Sequence, residues 1–206
     1  MLALGLSEKD CIELISRYSK DRVLIAAINS PSSVTLSGDV KALEEISSAM
    51  RNQGVFHRFL RVEIAYHSIV MESVQDELLE SIKNIKPVKP DIPVYSTVTG
   101  RVVDSVLHDP QYWCDNIRKP VLFASVMKNL IHECFITFLE IGPHPVLSSS
   151  IKENLLAHNV NGKVIFSLHR KYTEIETMYK ALGCLYTLGN SISWERLYHE
   201  KGELVI

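Results

Sequence analysis

Among the side chains of this 206-residue sequence, the imidazole of His67 is the best placed to do chemistry. The run Ile64-Ala65-Tyr66-His67-Ser68-Ile69-Val70-Met71-Glu72 carries it from a strand-like alternation into a helical one, and side chains at such junctions are often presented to a cleft. An imidazole changes protonation near neutral pH, so it can take up and return a proton. Position alone also allows a surface or hydrogen-bonded structural role. The other histidines, His57, His108, His132, His144, His158, His169 and His199, are scattered, and none forms the H-x-x-x-H or H-E-x-x-H spacing that sets two ligands on one helix face. That pattern argues against a metal site. Cys114 and Ser148 are nucleophiles by type, but both read as helical and lack a visible activating partner.

The elements that must position His67 begin with a chain able to build a substantial core, 46% of it apolar. The length suits one large domain or a domain with a smaller companion. A net charge of −2 and the lack of a basic block argue against nucleic acid. Cys11, Cys114, Cys134 and Cys184 lie far apart without a C-x-x-C pair, which fits a reduced, cytoplasmic setting. The apolar start, Met1 to Leu6, is cut short by Ser7-Glu8-Lys9-Asp10 and does not read as a signal peptide. No run approaches the ~18 apolar residues of a membrane span, so a soluble chain is expected.

Residues 1–64 read as strand, helix, strand, strand, helix, strand. Ser7 with Asp10 marks a helix start before Cys11, Ile12, Ile15 and Tyr18, and Arg22 to Ile28 is a strand. Asn29-Ser30-Pro31-Ser32 is a turn into a second strand at 33–37. Asp39 caps a helix with Val40, Leu43, Ile46 and Met50 inward, stopped by Gly54. Phe56, Leu60, Val62 and Ile64 recur mostly at strand period. The βαββαβ order is that of a ferredoxin-like small subdomain.

From His67 to about Ile85 the spacing predicts one helix with Val70, Val74, Leu78, Ile82 and Ile85 buried. A strand over 94–98 follows, then Asp109-Pro110 opens a helix and Pro120 another. Residues 135–141 read as a buried strand, and Gly142-Pro143-His144-Pro145 as the corner into a further helix. Strands alternating with helices predict an α/β layer. Beyond Ala157 a polar connection leads to a strand over 163–168, a helix over 173–188 and a short docking element over 192–197.

Several segments occur in one order: Ala26 through Gly38, Ala65-Tyr66-His67-Ser68 with Met71, Pro93 through Gly100, Tyr112-Trp113 with Asn116 and Pro120-Val121, then Phe138 through Leu147. Together they resemble the acyltransferase domain of a modular polyketide synthase, a relative of malonyl-CoA:acyl carrier protein transacylases. The likeness is strong over residues 1–150, and 160–198 resembles the linker that follows such domains. It implies an α/β fold with an α+β insert. The ferredoxin-like small subdomain would occupy 1–64, the C-terminal part of an α/β-hydrolase-like subdomain 65–156, and the linker and docking element 157–206.

In that family a serine in a G-H-S-x-G elbow attacks an acyl-CoA thioester, and a histidine takes its proton. His67 matches that histidine. The acyl group then passes to the phosphopantetheine of an acyl carrier protein. The resemblance implies malonyl-CoA or a related acyl-CoA as substrate, a carrier protein and neighbouring synthase domains as partners, and no bound cofactor. It places a backbone carbonyl near Pro120-Val121-Leu122-Phe123 against the histidine, giving Leu122 an orienting role, and sets Asn29 at the cleft or in a simple turn. Ile64 and Tyr66 fall where the family varies with its extender unit. A bulky third residue narrows the space for an α-methyl, so Tyr66 leans toward malonyl, while Ile64 fits neither common pattern.

No G-H-S-x-G occurs in the sequence. The family's malonyl-binding arginine and oxyanion-hole glutamine strand also have no counterpart, and all three precede the ferredoxin-like insert. The expectation is therefore a later part of an acyltransferase, inactive alone. Two other readings stand beside it: a non-catalytic docking or scaffold piece, and an unrelated α/β enzyme using Cys114 or Ser148.

Overall fold

The structure is a computed structural model that describes residues 1–19, 21–103 and 108–198. His199 therefore lies outside the described residues, as does the end of the expected linker segment. The chain is mixed α/β and divides into two compact units, Met1–Ile136 with Ser150–Asn161, and Thr137–Ser149 with Gly162–Ile206.

The first unit starts with β1 (Leu2–Leu4), α1 (Glu8–Ile15), β2 (Val23–Ser30), β3 (Ser33–Gly38), α2 (Val40–Asn52) and β4 (His57–Phe59). These strands form an antiparallel sheet in the order β2-β3-β1-β4. The register sets Leu2 opposite Leu36 and Leu4 opposite Val34. Strand alternation puts these four side chains on one face. There they meet Cys11 of α1 and Ala42, Leu43, Ile46 and Met50 of α2 in a solvent-excluded cluster.

Both helices start as their caps dictate. Ser7 Oγ accepts the Asp10 N–H at 3.2 Å, and Asp39 Oδ1 accepts the Ala42 N–H at 3.0 Å. Each satisfies one of the first-turn donors that a helix cannot pair internally. Asp39 also binds Arg22 Nη2 at 2.9 Å, tying the helix start to the entry of β2.

Two expectations fail in this region. Val40 is 64% exposed, because it is the first helical residue and the buried stripe begins at Ala42 and Leu43. The last strand is limited to His57–Phe59, leaving Phe56, Leu60, Val62 and Ile64 exposed. Its pairing with β1 runs through Leu4↔His57, Ala3↔Arg58 and Leu2↔Phe59 and ends at the Leu60 N–H to the Met1 carbonyl. Beyond that bond the alternating residues meet no strand among the described residues. The expected turn is also shorter, since Asn29 and Ser30 complete β2.

After His67 comes a 3-10 helix, Ile69–Val74, and then α3 (Gln75–Ile82), in place of one long helix. Met71 is the buried residue of the first piece, while Val70, Val74 and Ile85 are exposed. Periodicity located the helical segment but misjudged its inward face.

The chain continues with β5 (Val94–Ser96), β6 (Arg101–Val103), α4 (Pro110–Arg118), α5 (Phe123–His132), β7 (Thr137–Glu140), α6 (Ser148–Ala157), β8 (Lys163–Phe166), α7 (Glu174–Thr187) and α8 (Trp194–Leu197). Asp109 caps α4, with Pro110 just inside its start, as the sequence indicates. The second helix starts at Phe123, later than Pro120. Strands β5 and β6 form an antiparallel pair, and in the second unit β7 and β8 form a parallel one. Parallel pairing among the described residues is limited to β7–β8 and one Ala27↔Val121 bridge, so no broad parallel layer forms there. No helix of the described residues is long and apolar enough to cross a membrane.

Candidate active site

His67 is held in a left-handed backbone conformation, φ 57°. For a residue with a Cβ this costs on the order of 1–2 kcal/mol, so its surroundings must hold it there. They do so through α4. The His67 N–H donates to the Ile117 carbonyl at 2.9 Å, and His67 Nδ1 lies 2.8 Å from the Lys119 carbonyl oxygen. A carbonyl only accepts, so Nδ1 carries the proton of the neutral ring and Nε2 keeps the free lone pair. The next residue, Ser68, is buried and caps the 3-10 helix by accepting the Val70 N–H.

The Lys119 carbonyl points outward for a reason written in the sequence. A residue before proline is driven from helical to extended backbone, and Lys119, ahead of Pro120, has φ −79° and ψ 156°. Helix α4 stops at Arg118, and the Lys119 carbonyl turns toward the histidine. Val121 then donates to Ala26 O and accepts from Ile28 N–H, both at 2.9 Å, and Leu122 N–H donates to Thr97 O at 2.7 Å. These bonds lock the acceptor segment to β2 and to the turn after β5.

His67 lines a cavity of about 500 Å³. Its walls are largely apolar, including Ile12, Ile15, Tyr18 and Ile25, with Arg118 as a charged member. The apolar walls suit an organic group, and the free Nε2 lone pair of the ring can take up a proton. Arg118 Nε also donates to Glu72 Oε1 at 2.8 Å.

The remaining expected site residues are placed differently. Leu122 does not orient His67: the carbonyl in that position is that of Lys119. Asn29 Nδ2 donates to Thr35 Oγ1 at 3.2 Å across the β2–β3 hairpin, and its carbonyl accepts from Asn154 Nδ2 at 2.9 Å. Neither Asn29 nor Leu122 lines the cavity. Ile64 and Tyr66 are 47% and 41% exposed and also lie outside its lining, although the Tyr66 ring neighbours that of His67 at 6.5 Å. Sequence reading missed Lys119, which the following proline could have signalled. It also missed Glu72, which is 46 residues from Arg118 with no local pattern linking them.

The two alternative nucleophiles are not activated. Cys114 is buried, and burial, followed by the charges of Asp115 and Asp76, pushes its thiol pKa up. Ser148 Oγ donates to Glu140 Oε2 at 2.8 Å. The same carboxylate accepts the N–H groups of Val146 and Leu147 at 2.7 and 2.9 Å. Burial pulls the Glu140 pKa upward, but these donors together outweigh it and hold the carboxyl below its ordinary value. Ser148 and Glu140 thus form the structural corner into α6. The second unit has its own cavity, about 300 Å³, lined by residues that include Phe166, Tyr172, Lys180 and Cys184 and no histidine.

Comparison with known proteins decides the family. Residues 1–190 match the family described as acyl transferase domain. The chain belongs to that family. This acyl transferase family member is 34% identical over 202 residues to polyketide synthase GfsE of Streptomyces halstedii, covering 98% of the chain and 5% of the relative. It is 35% identical over 202 residues to highly-reducing polyketide synthase 1 of Aureobasidium melanogenum, covering 94% and 9%. Among solved structures, it matches the acyltransferase domain from module 8 of the salinomycin polyketide synthase with a TM-score of 0.90 at 28% identity, covering 94% of this chain and 46% of that one. The domain from the second module of the same synthase gives 0.87 at 30%, covering 96% and 46%. The acyl transferase chain thus spans about half the length of those solved domains and a small fraction of the curated synthases. The resemblance drawn from the ordered motifs is borne out.

Proposed function

We propose that this chain supplies the histidine-bearing part of an acyltransferase that moves a malonyl-type extender from CoA, through an acyl-serine, to the phosphopantetheine thiol of an acyl carrier protein. The observation that carries the reading is the His67 Nδ1 contact with the Lys119 carbonyl at 2.8 Å, which leaves Nε2 as a proton acceptor on a ring that lines a cavity.

In the first half-reaction Nε2 takes the proton of a serine hydroxyl as its oxygen attacks the thioester carbonyl. The tetrahedral intermediate collapses, the C–S bond breaks, and Nε2 returns the proton to the leaving CoA thiolate. In the second half, Nε2 takes the proton of the carrier thiol, whose sulfur attacks the acyl-serine ester. The released serine oxygen then takes the proton back. The sequence has no G-H-S-x-G motif, so the serine comes from another segment, and the chain alone forms no acyl-enzyme.

In this reading the β2-β3-β1-β4 unit, within residues 1–64, is the family's ferredoxin-like insert. Residues 65–156 belong to the catalytic subdomain and 157–206 to the linker and docking element, all in the cytoplasm. Tyr66 favours malonyl over methylmalonyl, a discrimination worth only ~1–3 kcal/mol. Partners are the carrier protein and neighbouring synthase domains. The lack of the serine motif also favours a second reading, a docking or scaffold piece that binds those partners without transfer.

Reconstitution separates the two readings. The chain is mixed with a fragment of a family acyltransferase bearing G-H-S-x-G, then given labelled malonyl-CoA and carrier protein. Label on the carrier that disappears with His67→Ala supports the enzyme; binding without transfer supports the scaffold. A stoichiometric ester formed by the chain alone would refute the fragment reading.

A further inference from the structure

We propose that the Glu72–Arg118 ion pair is the positioning clasp of the His67 imidazole, an inference that rests on His67 acting as the proton acceptor of acyl transfer. His67 belongs to the segment entering the 3-10 helix, and its acceptor, Lys119, to the end of α4. The ring keeps its tautomer only while these two segments hold their relative position.

Side-chain ties join the segments at two levels. Far from the ring, Gln75 Nε2 donates to the Cys114 carbonyl at 3.3 Å and Cys114 Sγ to the Gln75 carbonyl at 3.6 Å, neither involving a charged group. Close to it, Arg118 Nε donates to Glu72 Oε1 at 2.8 Å. Arg118 immediately precedes the residue whose carbonyl meets His67, and Glu72 follows Met71, which is anchored in the interior. Swinging the Lys119 peptide away from His67 therefore strains this ion pair. Lys119 itself binds Asp115 along its own helix, at 2.6 Å, and adds nothing across the gap. Glu72–Arg118 is the only charged tie between the two segments among the described residues.

The pair is partly exposed, with the side chains of Arg118 and Glu72 26% and 50% accessible. Such a pair contributes little to global stability. Its effect is local, on which ring nitrogen carries the proton. With the clasp broken, the backbone bond from His67 N–H to the Ile117 carbonyl still joins the segments, but the Lys119 carbonyl drifts from the ring more often and Nδ1 loses its acceptor for that time. The ring then populates the Nε2–H tautomer, which cannot take a proton at Nε2.

The test is the nitrogen-15 NMR signature of His67 in the full 206-residue chain, read where the ring is neutral, in the wild type, Glu72→Gln, Arg118→Gln and the charge-swapped double variant E72R/R118E. The Nδ1–H to Nε2–H ratio is expected to fall about threefold in each single variant, the size an exposed pair supports, and to recover in the swap. Amide dispersion reports that each variant is folded, and a single variant that fails to fold is replaced by the alanine variant at the same position, for which the same fall is expected and an unchanged ratio counts equally against the clasp. An unchanged ratio in folded Glu72→Gln and Arg118→Gln would overturn the clasp. The measurement needs no transfer activity, so a changed ratio without transfer in the reconstituted enzyme counts against the acyltransferase reading, not against the clasp.

Discussion

Lys119 presents its carbonyl oxygen to His67 Nδ1 at 2.8 Å because Pro120 follows it. Pro120→Ala lifts the steric restriction on Lys119, and α4 can then extend by a residue and withdraw that carbonyl. In the reconstituted enzyme, transfer is expected to fall about ten- to a hundredfold, since the proposed role of His67 as general base requires the tautomer that this carbonyl holds. Circular dichroism should show the fold retained. Unaltered transfer in a folded variant would mean that the carbonyl is held by something other than the proline.

His67 combines an imidazole, proposed above as the proton acceptor, with a left-handed backbone. Asparagine tolerates that backbone and its Nδ2 can still donate to the Lys119 carbonyl, so His67→Asn should keep the structure and lose only the proton acceptor. Transfer should drop about 10²- to 10⁴-fold, with a melting temperature close to wild type. His67→Ala should be less stable than His67→Asn by about 1 kcal/mol. Equal melting of the two variants would argue that the left-handed conformation is not maintained in solution.

Gly38 has φ +152°, and a Cβ there would lie 2.1 Å from the Arg22 carbonyl oxygen. That oxygen is held in place because it accepts the Asp39 N–H at 2.8 Å. Neither backbone can yield cheaply, so Gly38→Ala should destabilise the first unit by about 2 kcal/mol or more. Urea unfolding followed by circular dichroism measures it; a loss below about half a kilocalorie would contradict the close approach of Gly38 to the Arg22 carbonyl.

Glu140 supplies a pH dependence whose sign follows from its depressed pKa. The folded state favours the carboxylate, so its contribution is fully present above the ordinary value of 4.5 and is lost as pH falls through the lower folded value. Glu140→Gln should therefore melt below wild type at pH 7, with the gap closing as pH falls below 4.5. Paired thermal scans across that range check it. A gap that widened on acidification would reverse the assignment.

The legibility of these features tracks the range of the interaction behind them. Ser7, Asp39 and Asp109 could be read as caps because each bonds to a backbone N–H three residues on. The order of elements through β4 follows from local periodicity in the same way. The exposed Val40 and the free Phe56, Leu60, Val62 and Ile64 could not be foreseen, since burial depends on what other segments supply and not on period.

The site divides along the same line. His67 and the helix stop at Lys119-Pro120 are written in adjacent residues, and the ordered motifs around them suffice to assign the family. By itself the sequence determined the chemical group, its place just ahead of a helical segment, and the kinship. Only the tertiary structure decided that Lys119, not Leu122, holds the ring, that Asn29 turns to Thr35, and that Glu72 reaches Arg118. The physical reason is that a hydrogen bond between residues tens of positions apart is set by the packing of whole elements, which no local pattern of side chains encodes.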